Sequence, residues 1–150
     1  MEFSEVTKKY WKEEDWKDVE KSESVDDLYV VAERILKRMP KPIVEVCGPL
    51  ANGGLGSFEA NMDVFNETIK KLQSQGLNVF DIMPFEDAIQ VLKEKLGLEK
   101  LVDDIQNKFY LPIFKSYVSV SYFMSGWETS TGAVWEHQKA KELGMKVVYL

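Results

Sequence analysis

Residues 43–57, with the sequence IVEVCGPLANGGLGS, bring together three local signals that decide the fold. The first five residues are a β-branched run, which predicts a buried strand. Glycines follow where the chain must turn, and Ser57 is placed to accept a hydrogen bond at the start of a helix. A strand that leads through a glycine-rich loop into a helix predicts a βα unit.

The rest of the chain continues this alternation. Ser24 is a predicted N-cap, and the apolar spacing from Leu28 to Met39 predicts a helix that Pro40 and Pro42 stop. Further strands are predicted at residues 77–80, 117–123 and 146–150, and further helices at residues 57–76, 84–96, 99–108 and 131–143. The pattern predicts a three-layer α/β fold, flavodoxin- or Rossmann-like, with a parallel sheet of about four to five strands and helices on both faces.

Composition excludes several classes of protein. The chain has 19 Lys and Arg residues and 25 Asp and Glu residues, and the resulting net charge of -6 disfavours binding to polymeric nucleic acid. Cys47 is the only cysteine, so no internal disulfide is possible. The N-terminus has no apolar signal region, and no apolar run approaches the roughly 20 residues of a membrane helix. We therefore expect a cytoplasmic protein without a membrane partner.

The domain organisation is predicted to be simple. A chain of 150 residues suits one α/β domain, here residues 42–150, preceded by an N-terminal helical extension of residues 1–41. The first 23 residues carry too many aromatic side chains for a disordered tail and are expected to pack on something. Tyr10, Trp11 and Trp16 are expected to be exposed there, which is consistent with a homo-oligomer.

Two loops leave the carboxyl ends of predicted strands, where ligands of parallel sheets bind. The first contains Gly48, Gly53, Gly54 and Gly56, and its backbone amides suit an anion such as phosphate. Its spacing matches neither the P-loop nor the dinucleotide fingerprint. Plain turn chemistry remains an alternative explanation of these glycines.

The second loop leads into the helix that carries Glu136. Ala133, Glu136, Ala140 and Leu143 follow one another at spacings of three, four and three, so the carboxylate shares a face with small and apolar residues. Burial raises the pKa of a carboxyl group, whereas a nearby helix N-terminus lowers it, and such tuning suits an acid, a base or a nucleophile. The alternative is a surface glutamate that pairs with Lys139.

The stretches CGPLANGG (47–54), LNVFDIMPFED (77–87) and GWETSTGAVWEHQKAKELGMKVVYL (126–150) resemble the nucleoside 2-deoxyribosyltransferase-like superfamily. The closest resemblance is to a branch with the signature Gly-Trp-Glu-x-Ser-x-Gly-Ala-x-x-Glu. The resemblance covers residues 43–150. It implies that Glu136 is a nucleophile that attacks the anomeric carbon of a ribosyl or deoxyribosyl group and displaces the nucleobase.

The resemblance also implies which residues contact the substrate. Gly48 and Pro49 would line the pocket for base and sugar, and the segment Asp81–Asp87 would form part of its wall. The remaining predicted contacts come from the two loops: Gly53, Gly54, Trp127, Ser130, Thr131 and Gly132. Trp127 is a candidate for stacking on a base, with a role as a core plug as the alternative.

Two positions bear on the substrate and on catalysis. Ser130 lies six residues before Glu136, where relatives that hydrolyse nucleoside 5′-monophosphates carry a phosphate-binding serine, so the resemblance implies a phosphorylated substrate. The superfamily usually has an aspartate near the end of the preceding strand. The corresponding stretch SYVSVSYFMSG has none, and Ser119 falls near that position.

Several functions stay open. The leading hypothesis is a nucleoside or nucleoside 5′-monophosphate N-glycosidase, or the related deoxyribosyltransferase, that needs no cofactor. The first alternative is a nucleotide-binding or sensing module without turnover, and the second is an interaction protein that docks through its N-terminal segment. A Cys47–His137 nucleophile pair lacks an orienting third group, and one Cys with one His offers no set of metal ligands.

Overall fold

The computed structural model describes all residues from Met1 to Leu150. The strands are β1 (Ile43–Cys47), β2 (Asn78–Val79), β3 (Val118–Phe123) and β4 (Lys146–Tyr149). The α-helices are α1 (Glu5–Lys8), α2 (Glu13–Glu20), α3 (Val25–Arg38), α4 (Phe58–Ser74), α5 (Glu86–Leu96), α6 (Leu98–Asp104), α7 (Leu111–Ser116) and α8 (Thr131–Glu142). None of the helices combines the length and the apolar character that crossing a membrane requires.

The strands form one parallel sheet in the order β2-β1-β3-β4. Helix α4 connects β1 to β2 at one edge, and helix α8 connects β3 to β4 at the other. Because these two crossovers run in opposite directions, the right-handed rule puts α4 and α8 on opposite faces of the sheet. The predicted three-layer α/β fold is confirmed, with four strands.

The chain divides into two compact units, each made of two chain segments. The first contains residues 1–39 and 82–117, and the second, which holds the whole sheet, contains residues 40–81 and 118–150. The N-terminal segment therefore shares a unit with helices α5, α6 and α7, whereas the sequence suggested an extension of its own. Sequence order hides this grouping because the two segments are far apart along the chain.

Aromatic packing fixes the N-terminal segment within the first unit. The ring of Trp11 stacks on Trp16 with centroids 4.2 Å apart and lies 5.2 Å from the ring of Phe85. The expectation that this segment packs is confirmed. The expectation that Trp11 is exposed is wrong, because only 8% of Trp11 is accessible, while Tyr10 and Trp16 are half-buried.

The first unit also contains a buried ion-pair network. Asp15 is fully buried, and one of its oxygens accepts a hydrogen bond from the Lys12 amide at 2.8 Å, which caps α2. Arg34 and Arg38 of α3 both donate to the same carboxylate. These bonds satisfy a charge that would otherwise be costly to bury.

The largest difference between predicted and observed element boundaries lies at residues 105–116. The helix expected to end at Lys108 continues through a π-helical segment, Ile105–Tyr110, into α7. Pro112 lies in the first turn of α7, where a missing amide hydrogen is tolerated. Proline there removes one backbone hydrogen bond without stopping the helix, so the residues up to Ser116 stay helical.

Candidate active site

The two central strands mark the predicted location of the site. β1 and β3 are neighbours, and the chain leaves β1 toward one edge of the sheet and β3 toward the other. The strand order therefore reverses between them, which is where open parallel sheets bind ligands beyond the carboxyl ends of their strands. The loops that follow Cys47 and Phe123 both leave the sheet at this point.

Hydrogen bonds tie the two loops together. The Asn52 amide oxygen accepts from the Thr131 backbone N at 2.9 Å, and its Nδ2 donates to Thr131 Oγ1 at 3.0 Å. The Gly54 backbone N donates to Thr129 Oγ1 at 2.7 Å. The loops therefore form one continuous surface, and two predicted ligand contacts, Gly54 and Thr131, bond to protein groups.

Asn61, in the first turn of α4, holds the glycine-rich loop in shape. Its Nδ2 donates to the carbonyl oxygens of Leu50 at 3.0 Å and Gly53 at 3.1 Å, and its Oδ1 accepts from the Leu55 backbone N at 2.9 Å. Asn61 is 4% exposed. Asn61 lies on the buried face of the helix, four residues before Phe65, but a stripe drawn through apolar residues alone does not include it.

The glycines at positions 53 and 54 are explained by close packing. Both have positive φ angles, +70° and +60°, which glycine adopts without strain. A Cβ on Gly53 would collide with the Thr129 backbone, and one on Gly54 would lie 2.6 Å from Asn61 Oδ1. The alternative of plain turn chemistry therefore accounts for these two glycines without a ligand.

Three consecutive backbone N–H groups of the same loop already have hydrogen-bond acceptors within the protein. Those of residues 54, 55 and 56 donate in turn to Thr129 Oγ1, to Asn61 Oδ1 and to the Gly53 carbonyl, at 2.7, 2.9 and 3.1 Å. An anion at this loop would have to displace these acceptors. The loop is thus a weaker phosphate cradle than its glycine content suggests.

A cavity of about 270 Å³ opens beside the two loops. Its lining consists of Pro49, Gly54, Leu55, Asn61, Val64, Met124, Ser125 and Gly126. Pro49 and Gly54 are predicted substrate contacts, whereas Glu136 and Ser130 are absent from the lining. Gly48 is buried behind it, where a Cβ would lie 2.6 Å from the Met124 sulfur.

Glu136 lies on the buried face of α8 together with Ala133 and Ala140. It is 9% exposed, and burial raises its pKa to about 8, although the nearby Cys47 thiol acts in the opposite direction. Lys139 pairs with Glu142 at 3.2 Å. The alternative of a surface glutamate paired with Lys139 is therefore wrong, and the predicted burial is confirmed.

A second buried carboxyl group, that of Glu45, was missed. Glu45 is the middle residue of β1, fully buried, and neither of its carboxyl oxygens has a hydrogen-bond partner. Burial raises its pKa well above the ordinary value of 4.5, and the charge of Glu136 raises it further. The signal was present in the sequence, because one acidic residue interrupts an otherwise apolar buried strand.

Cys47 ends β1 beside these carboxyl groups. Its thiol is buried and lies within hydrogen-bonding reach of Glu136. Burial raises the pKa of the thiol, and the two glutamates raise it further. A thiol that stays protonated is a poor nucleophile. The surroundings of Cys47 therefore do not activate it.

Ser130 is the N-cap of α8, where its Oγ accepts a hydrogen bond from the Ala133 backbone N at 3.3 Å. It is 4% exposed, whereas Thr131 is exposed and Gly132 is half-buried. The Ser130 hydroxyl proton remains available to an acceptor that approaches the helix N-terminus. Capping alone, however, is sufficient to explain a serine here.

Trp127 belongs to an aromatic cluster of this unit. Its ring stacks on His137 with centroids 4.2 Å apart and lies 6.2 Å from Tyr149, while His137 Nε2 lies 2.7 Å from the Tyr149 hydroxyl. Burial lowers the pKa of His137, and Lys141 lowers it further. Trp127 thus stacks on protein rings, and the half-buried His137 is part of this cluster.

The predicted wall segment Asp81–Asp87 spans the boundary between the two units. Asp81 is buried in the unit that contains the sheet, and Glu86 is buried in the other unit. Burial raises the pKa of Glu86 to about 7, and Asp87 raises it further. None of these residues lines the cavity described above.

The structure contains no group of three or more His, Cys, Asp or Glu side chains arranged to hold a metal ion. No curated protein and no solved structure shows significant similarity to the chain. A family model, the domain of unknown function DUF4406, matches residues 44–149, which include the sheet, both loops and the two buried glutamates. The chain therefore belongs to the DUF4406 family.

Proposed function

We propose that the protein cleaves the N-glycosidic bond of a nucleoside or nucleoside 5′-monophosphate, with Glu136 as the nucleophile. The observation that carries this proposal is a buried carboxyl group at the reversal of the strand order, beside the last residue of β1. A carboxylic acid is costly to bury without partners, which favours a chemical role over a structural one. The resemblance to the nucleoside 2-deoxyribosyltransferase-like superfamily supplies the substrate class.

The chemistry follows from a carboxylate nucleophile. Ionised Glu136 attacks the anomeric carbon, a glycosyl ester forms, and the carbon–nitrogen bond breaks as the base leaves with its bonding electrons and takes a proton. Water then attacks the ester in a hydrolase, whereas a second base attacks it in a transferase. Both reactions return Glu136 to its carboxylate form.

The pKa of Glu136, about 8, sets the expected pH dependence. Most of the free enzyme carries a neutral Glu136 at pH 7, so the nucleophilic fraction grows as pH rises toward 8. The value of kcat/KM should therefore increase between pH 6 and pH 8. A rate that falls over this range would instead indicate that Glu136 acts as a proton donor.

The direct test is release of free base from a panel of ribo- and deoxyribonucleosides and their 5′-monophosphates, followed by chromatography. Glu136→Gln should lower the rate by at least about 10³-fold, the order of loss that follows removal of a catalytic nucleophile. Glu67→Gln, at an exposed position of α4, is the matched control and should keep the parent rate. If no substrate yields base, or if Glu136→Gln releases it at the parent rate, the enzymatic proposal fails.

A second candidate function is a nucleotide-binding or sensing module without turnover. It is favoured by the cavity lining, from which Glu136 and Ser130 are absent, and by the side chain of Met124 that covers Gly48. Thermal stabilisation by nucleotides without release of base would support it. Loss of that stabilisation in Leu55→Glu, which puts a charge into the cavity lining, would locate the binding there.

We further propose a cytoplasmic homo-oligomer. The single thiol, Cys47, is free and buried, which suits a reducing compartment. Val134 on α8 is 44% exposed, and Tyr149 on the edge strand β4 is 55% exposed. Light scattering coupled to size exclusion tests the assembly, and Val134→Lys should convert an oligomer that buries Val134 into a monomer.

A further inference from the structure

Glu45 and Glu136 occupy one buried region of the sheet-containing unit. Side chains alternate along a strand, so Glu45 and Cys47 share one face of β1, and Ser121, the register partner of Glu45, lies beside them on β3. Glu136 reaches the same region from α8, where it contacts Cys47. Two carboxyl groups from different elements are therefore close enough for the charge of one to act on the other, in an interior that contains no counter-charge acting on either of them.

The immediate surroundings do not satisfy Glu45. Ser121 Oγ donates to the Met145 sulfur at 2.7 Å, and the Cys47 thiol lies near Glu136, while both oxygens of Glu45 lack a partner. Leaving a buried polar group unpaired costs about 1–3 kcal/mol. Packing alone would favour an apolar residue in the middle of this strand, as at every other position of β1.

The order in which the two groups ionise is set by their surroundings. Burial raises the pKa of both, and the Cys47 thiol favours the charged form of Glu136 alone. Once Glu136 is ionised, its negative charge raises the pKa of Glu45 further. Cys47, the third titratable group in contact with them, stays a neutral thiol. Glu136 is therefore expected to ionise before Glu45, so that a neutral Glu45 lies beside an anionic Glu136 over part of the pH range.

We propose that Glu45 is a positioning residue for Glu136, whose carboxylate accepts a hydrogen bond from the neutral Glu45 carboxyl group. This inference rests on the proposed nucleophilic role of Glu136. It also provides a second acid for the site, from β1, in a chain whose β3 lacks the aspartate that the resemblance led us to expect near Ser119. Glu45 itself has no exposed surface and does not touch substrate.

The proton balance of the step is simple. Neutral Glu136 loses its proton to solvent, and the proton of Glu45 stays on Glu45. Neither oxygen of Glu45 is hydrogen-bonded in the structure, so the proposed bond requires a rotation of one of the two side chains that brings the O–H of Glu45 to the Glu136 carboxylate. A charge-assisted bond of this kind is roughly twice as strong as a neutral one.

The first test follows the carboxyl carbons of ¹³C-labelled glutamate by NMR as pH is raised. Glu45→Gln and Glu136→Gln assign the two signals. In the parent protein, both groups should be neutral at pH 6, and Glu136 should ionise before Glu45. Ionisation of Glu45 first, or a charged Glu45 at pH 6, would overturn the proposal. Because the measurement is made on the parent protein, its outcome does not depend on whether a variant with an apolar residue at position 45 folds.

The second test compares Glu45→Gln with Glu45→Leu. The amide of glutamine can still donate to the Glu136 carboxylate, whereas leucine cannot. The midpoint for Glu136 ionisation should stay near the parent value in Glu45→Gln and rise by at least about one pH unit in Glu45→Leu. Equal midpoints in the two variants would show that Glu45 acts only through its volume and would overturn the proposal.

Base release gives the catalytic readout on the same variants. At pH 7, kcat/KM should fall about tenfold in Glu45→Leu, recover when pH is raised, and stay near the parent value in Glu45→Gln. If the NMR midpoints separate as expected and no protein releases base, the proton pair stands and the proposed function fails. If base is released with one pH profile in all three proteins, the positioning role fails and the proposed function stands.

Discussion

The glycine-rich loop after β1 and the acid pair Glu45 and Glu136 lie at the same reversal of strand order. The polar groups of the loop have hydrogen-bond partners, whereas the carboxyl groups of the acid pair are buried with few or none. Consecutive amides of the loop donate to protein acceptors, and Asn61 uses both ends of its side chain to hold the loop. Glu45 is buried with both oxygens unpartnered, and Glu136 is buried without a cation beside it.

This contrast separates two kinds of sequence signal. A loop rich in glycine attracts attention as a ligand cradle, yet here its glycines are accounted for by close approach of the two loops. The acid pair has no such structural explanation, because an apolar strand and helix face would pack at lower cost. The acid pair is therefore the stronger candidate for chemistry.

The largest effect on stability is expected in the double variant that carries both Glu45→Gln and Glu136→Gln. The pKa of Glu136 rises from an ordinary 4.5 to about 8 on folding, so between these values the unfolded chain has released a proton that the folded chain still holds. The contribution of this group to the free energy of unfolding is fully present below pH 4.5 and is lost as pH rises toward 8. Each such group costs up to about 1.4 kcal/mol per pH unit, and Glu45 acts in the same direction.

The measurement is the free energy of unfolding in urea from pH 5 to pH 8 for the parent and the double variant. The double variant should become more stable relative to the parent by a few kcal/mol as pH rises over this range. Glu67→Gln, on the exposed side of α4, controls for the change in net charge. Parallel curves for parent and double variant would mean that the two carboxyl groups are not buried as neutral acids.

On the loop side, Asn61→Ala should have the next largest effect. It removes three hydrogen bonds, to Leu50, Gly53 and Leu55, and should destabilise the protein by about 2–3 kcal/mol. Asn66→Leu on the same helix is the matched control, because Asn66 Oδ1 is buried without a partner and its loss should change stability by less than about 1 kcal/mol. Equal losses in urea unfolding would show that the loop contributes little.

Local signals predicted much of the fold. Ser24 and Ser57 are N-caps as predicted, and the runs from Ile43 and Lys146 form strands, because capping and β-branched runs act within a few residues. Trp11 shows the limit. Its burial against Phe85 depends on a contact across 74 positions of sequence, which no local pattern encodes.

The candidate site was predicted less evenly. The burial of Glu136 followed from spacing along one helix, since a helix face can be drawn from sequence alone. Glu45 was overlooked although it is the one acidic residue in an apolar run, because a strand is recognised by its β-branched residues and a single acid does not change that assignment. Its relation to Glu136 depends on how α8 packs on β1, which is a tertiary property.

A smaller effect should separate two glycines of the loop. Gly53→Ala brings a Cβ against the Thr129 backbone at a φ of +70° and should cost about 2–3 kcal/mol. Gly56→Ala has a similar φ of +85° with open space around the new atom, so only backbone strain of about 1 kcal/mol is expected. Thermal or urea unfolding of the two variants measures the difference. If Gly56→Ala is as damaging as Gly53→Ala, close packing does not explain the glycine at 53.

The smallest effect on stability, and the one that links the loop side to the substrate, is expected at Ser130. Ser130→Ala removes the N-cap of α8 and should cost about 1 kcal/mol, whereas Ser130→Asp keeps a capping oxygen and should remain close to the parent. If Ser130 also binds a phosphate, Ser130→Asp should weaken binding of a nucleoside 5′-monophosphate at least about tenfold while binding of the nucleoside is unchanged, because the two anions repel each other. Calorimetric titration of Ser130→Asp with both ligands makes this comparison in a variant whose cap is intact. Equal changes in affinity for the nucleoside and the monophosphate would mean that Ser130 only caps α8. Glu45 and Glu136 would then be the residues of the site with a proposed chemical role.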